Sequence, residues 1–111
     1  MNRINNTLVL QSAQTATNTG SAYSVWGTKW AFQAYGSTTA STGAATILIQ
    51  VSNVDTDAAY ITMGTITLTL GTTITADGFA SDAPWKYVRA KVSAISGTGA
   101  SVNVVMSNNG V

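Results

Sequence analysis

Trp85, Tyr87, Arg89 and Lys91 fall at every second position of the run Trp85-Lys86-Tyr87-Val88-Arg89-Ala90-Lys91-Val92. Successive side chains of an extended strand point to opposite faces. Such a strand therefore buries Val88, Ala90 and Val92 and turns two aromatic rings and two of the chain's five cations the other way. Aromatic residues combined with Arg are enriched where proteins grip one another, and aromatic platforms also stack on sugar rings. The plainer reading is a strand end whose rings cap the core edge while Arg89 and Lys91 face water. A second aromatic concentration comprises Trp26, Lys29, Trp30, Phe32 and Tyr35. Trp30 and Phe32 share a face with Ala34 and belong to the core. Trp26 joins Trp85, Tyr87, Arg89 and Lys91 as a candidate partner contact.

Other chemistry is scarce. The chain has no His, Cys or Glu, four Asp and three Lys, so groups that titrate near neutrality are missing and an enzyme is not expected. Thiolate and imidazole ligands are absent too, which leaves carboxylate and carbonyl oxygen as the only metal donors. Asp55-Thr56-Asp57 resembles a fragment of a calcium loop but lacks the Gly turn and distal Glu of an EF-hand, and reads as a solvated hairpin loop. Asp77, Gly78 and Asp82 read as a second acidic loop. The expectation is no metal, no cofactor and no catalytic residue. A net charge of +1 also lacks the basic face of a nucleic-acid binder.

Only 8% of the 111 residues are charged, whereas 41 are Thr, Ser, Asn or Gln. Hydroxyls and amides must cover most of the surface, and charge repulsion does little to keep copies apart. No apolar run is long enough to span a membrane as a helix, and residues 1–6 lack the apolar core of a signal peptide. These features suggest synthesis in a cytoplasm and no membrane partner.

The elements that position these residues follow from period-two alternation, clearest in Ile66-Thr67-Leu68-Thr69-Leu70 and repeated at Trp30, Phe32, Ala34, at Ile47, Ile49, Val51, and at Val102, Val104, Met106. Strands are expected near 7–13, 22–35 with a bend or break at Gly27, 44–52, 58–70 with a break near Gly64, 73–79, 85–95 and 100–107. Gly- and Ser-rich turn signals separate them. The pattern is that of an all-β, jelly-roll-like antiparallel β-sandwich. Residues 1–6 read as an N-terminal arm, 7–107 as a single sandwich domain and 108–111 as a C-terminal tail. The low-complexity stretch 36–43 reads as a mobile surface loop. The expected core includes Leu8, Leu10, Ile61, Met63, Leu68 and Leu70.

The runs Trp26-Gly27-Thr28-Lys29-Trp30-Ala31-Phe32-Gln33-Ala34-Tyr35-Gly36, Ile47-Leu48-Ile49-Gln50-Val51-Ser52-Asn53 and Asp77-Gly78-Phe79-Ala80-Ser81-Asp82-Ala83-Pro84-Trp85-Lys86-Tyr87-Val88-Arg89-Ala90 resemble those of small tailed-phage virion proteins. With the length, they resemble the capsid decoration (cement or staple) proteins of epsilon15-type podoviruses. The resemblance implies a jelly-roll subunit on the outer capsid surface of the virion, bridging neighbouring copies of the major capsid protein as a homodimer. It implies no catalytic residue. The rival expectation is a carbohydrate- or receptor-binding β-sandwich of a phage tail appendage.

Overall fold

The computed structural model describes residues 5–25, 29–82 and 85–109. Alternation of aliphatic and hydroxyl side chains becomes nine strands among these residues: β1 (Asn5–Gln14), β2 (Asn18–Thr19), β3 (Tyr23–Ser24), β4 (Lys29–Ser37), β5 (Ala40–Ser52), β6 (Ile61–Leu70), β7 (Thr75–Ser81), β8 (Tyr87–Thr98) and β9 (Ser101–Asn109). A one-turn 3-10 helix, Asp57–Ala59, precedes β6. The first sheet has the order β1-β9-β4-β7, and the second β2-β8-β5-β6 with β3 also on β8.

Every pairing is antiparallel; β1 with β9, β2 and β3 with β8, β4 with β7, and β5 with β6 join the two halves of the chain in reverse order, and β4 with β9 and β5 with β8 link these pairs into sheets. A long hairpin rolled up across two sheets has this topology, which is the jelly roll expected from the sequence. The short β2 and β3 together fill one strand position. The inner faces meet in one core. Trp30, Phe32, Ala34, Val102, Val104 and Met106 from the first sheet pack on Ala45, Ile47, Ile49, Val51, Ile66, Leu68, Leu70, Val88, Ala90 and Val92 from the second, all buried.

The run 22–35 forms two strands rather than one bent strand, β3 in the second sheet and β4 in the first; Gly27 itself lies outside the described residues. Three expectations need correction. Residues 36–43 are not a loose loop. Gly36 and Ser37 extend β4, β5 starts at Ala40, and Thr38 is 4% exposed, with its N–H donating to the Gly71 carbonyl at 2.8 Å and its hydroxyl to Ser41 O at 2.6 Å. Small residues occur here because strands crowd together: a Cβ on Gly36 would sit 2.8 Å from Val102 Cγ1. Ile61 is 52% exposed rather than core, since a register shift opposite Ile49 and Gln50 breaks the alternation between Gly64 and Thr62. Finally, the terminal segments are shorter than expected, as Asn5 and Asn6 pair with Asn109 and Asn108 in the β1–β9 ladder.

Candidate functional site

β8 places its side chains as the alternation requires. Val88, Ala90 and Val92 are fully buried, and Tyr87, Arg89 and Lys91 emerge on the outer face of the second sheet, opposite Ser52, Gln50 and Leu48 of β5. Lys91 and Tyr87 are half-buried there. Trp85 precedes β8 and packs, half-buried, against the core. Trp26 lies outside the described residues.

Arg89 organises this face. Its Nε–H donates to Gln50 Oε1 at 2.8 Å and its Nη1–H to Asp57 Oδ1 at 2.7 Å. The guanidinium carbon stands 4.0 Å from the centroid of the Tyr60 ring, within cation–π range. The Tyr60 hydroxyl in turn donates to Asp55 Oδ1 at 2.9 Å. Burial, followed by this hydrogen bond and the charge of Asp55, pushes the Tyr60 phenol up to about 12. The result is a loop, residues 53–60, drawn down onto the sheet by one Arg.

The loop is fixed locally as well. Ser52 is buried, and its hydroxyl both donates to Val54 O at 2.7 Å and accepts from Val54 N–H at 3.0 Å. The Lys86 N–H donates to Asn53 Oδ1 at 3.1 Å, and Lys86 Nζ lies 5.5 Å from the Tyr87 ring centroid. Asp55 and Asp57, read from the sequence as a solvated loop, are thus partners of Tyr60 and Arg89. Tyr60 carried no signal of its own in the sequence, because no periodicity connects it to Arg89. Five of the nine charged residues, Asp55, Asp57, Lys86, Arg89 and Lys91, gather here.

The second acidic stretch is loop only at Asp82. Asp77 and Gly78 lie within β7, where the Asp77 carboxylate accepts the Gly78 N–H at 2.8 Å. Among the described residues no three His, Cys, Asp or Glu side chains come together as a metal cage would need, and no helix is long and apolar enough to cross a membrane. Tyr35, the other exposed-type aromatic of the sequence, sits half-buried on β4, with its side chain on the outer side of the first sheet. No known protein family, curated protein or solved structure matches the chain.

Proposed function

We propose that this chain is a structural virion protein that decorates an icosahedral phage capsid and stabilises it by bridging neighbouring major capsid protein subunits. The resemblance of its sequence to podovirus decoration proteins suggests the role. The observation that carries it is the Arg89 constellation. An Arg clamped between Gln50 and Asp57 and stacked on Tyr60 forms, beside Tyr87 and Lys91, an aromatic and cationic patch that is ordered before any partner arrives. Preordering removes part of the entropic cost of docking, and Tyr with Arg is the composition of interface hot spots. A phenol that keeps its proton up to about 12 is unsuited to proton transfer near neutrality, which favours attachment over catalysis.

The same geometry disfavours the tail-appendage alternative. A sugar platform needs an open ring face, but Arg89 lies over Tyr60 at 4.0 Å and Lys86 approaches Tyr87 at 5.5 Å. The test is to add folded variants to undecorated, expanded shells and measure occupancy. Tyr60→Ala, Tyr87→Ala and Arg89→Ala are expected to weaken attachment, at least one of them by about 2 kcal/mol, or roughly thirtyfold. Tyr35→Ala, on the other sheet, is expected to bind like the parent. Undiminished occupancy by all three face variants, or specific binding to a glycan array in place of shells, contradicts the proposal.

A further inference from the structure

Two sheets leave edges where unpaired N–H and C=O groups can recruit another strand unless something blunts them. Three of the edges here are blunted. β1 has two register shifts against β9 and a positive φ of 49° at Ala13, so its ladder is broken. β2 and β3 are two residues each. β7 is seven residues long and carries Asp77 as its third residue. The fourth edge, β6, has ten residues and neither charge nor Pro, and it pairs with β5 in unbroken register from Gly64 to Leu70.

Two hydrogen bonds show which groups on β6 face outward. The Thr69 carbonyl accepts the Thr75 hydroxyl at 2.9 Å, so it points away from β5. The Thr46 carbonyl, on the β5 residue opposite Thr67, accepts the Ser93 hydroxyl of β8 at 3.2 Å, so it points away from β6. In an antiparallel ladder each residue sends both of its backbone groups to the same side. Thr65, Thr67 and Thr69 therefore turn N–H and C=O outward, with the Thr69 carbonyl also held by the Thr75 hydroxyl, and their side chains are exposed.

We infer that β6 is a self-association site at which two copies pair β6 with β6, antiparallel, about a twofold axis through Thr67. The chemistry of Thr65-Ile66-Thr67-Leu68-Thr69 reads alike in both directions. The axis sets Thr67 against itself, Thr65 against Thr69 of the second copy, and Ile66 beside Leu68 of the second copy on the core side. An uncharged edge meets its own image without repulsion. Two of the large apolar side chains left exposed are Ile61 (52%), at the start of β6, and Ile74 (65%), just after its end. The axis brings Ile61 of each copy toward the turn bearing Ile74 of the other. A twofold contact of this kind closes on itself and merges the two second sheets into one. It stands independently of the capsid role.

Sedimentation equilibrium over a concentration series tests the site. The parent is expected to be dimeric, while Thr67→Lys and Thr67→Asp, which place like charges opposite each other, each weaken the dimer by roughly tenfold or more. Mixing these two variants restores it. The chain has no cysteine, so Thr67→Cys is a clean probe: opposed strand residues lie within disulfide reach, and mild oxidation is expected to link two copies, whereas Thr46→Cys stays unlinked. A monomeric parent at every concentration, dimerisation of Thr67→Lys equal to the parent's, or a foreign strand on β6 without self-pairing overturns the assignment. Unchanged melting of the variants establishes that they are folded.

Discussion

Arg89 reaches outward from a strand whose neighbouring side chains are fully buried, and it spends its donors inside the molecule. Asp57 is 89% exposed, so the ion pair itself contributes only about 0–1 kcal/mol, and stacking on Tyr60 adds about 0.5–1 kcal/mol. Arg89→Ala is expected to lower unfolding stability by about 1–2 kcal/mol in a urea titration. Arg89→Lys recovers little of it, because a point charge cannot bond Gln50 and Asp57 while lying flat on a ring. Tyr60 supplies a pH test. Its phenol is raised from 10.0 in the unfolded chain to about 12 in the fold, so between these values the folded state holds a proton that the unfolded state has lost. The associated stability is present in full below pH 10 and is lost as the pH rises through about 12. A phenolate absorbance titration should show a step near 12 that is absent from Tyr60→Phe and that moves downward in Asp55→Ala.

The placement of Tyr87, Arg89 and Lys91 was legible because alternation is a local property. The contacts of Arg89 were not, since Asp57 and Gln50 stand 32 and 39 residues away. Only the pairing of β5 with β8 brings them within reach.

Elements were legible to the same limit. Aliphatic residues at every second position marked β4, β5, β6, β8 and β9, but not the points where the chain changes sheet or slips register. At Gly64 the slip has a packing reason, because Phe79 of the opposite sheet lies where a side chain would be. A Cβ on Gly64 would meet ring carbons of Phe79 at 2.8 and 2.9 Å. Phe79 also packs on Phe32 with centroids 5.2 Å apart, which leaves it little room to retreat. Gly64→Ala is therefore expected to destabilise the fold by about 1–3 kcal/mol through overpacking. Leu68→Ala, at a position 2% exposed, should cost about 2–5 kcal/mol through the cavity it leaves. Urea midpoints check both, and an unchanged midpoint for Leu68→Ala would displace β6 from the core. Residues 36–43 teach the converse. Small side chains there suggested slackness, yet they reflect the close approach of β9 and of the β6–β7 turn.

The molecule as a whole is a plate, 42 × 41 × 17 Å across its principal axes. Its two broad surfaces are the outer faces of the two sheets, and the patch around Arg89 occupies one of them. In the proposed capsid role, a plate repeated by icosahedral symmetry gains from simultaneous contacts, so each contact can be modest. With Arg89 already neutralised by Asp57, attachment is expected to rest on rings and hydrogen bonds. Occupancy on shells should accordingly fall little as salt rises to about 1 M, where the Debye length shrinks to about 3 Å. Extensive release at moderate salt would instead mean that Lys86 and Lys91 dominate. The most direct measurement of the proposed role is a cryo-EM map of an intact particle from a host expressing this chain. Jelly-roll density is expected on the outside of the shell, bridging capsid subunits, with Tyr60, Tyr87 and Arg89 turned toward them. Density for this chain in a tail appendage, or on the shell with that face turned to solvent, would contradict that role.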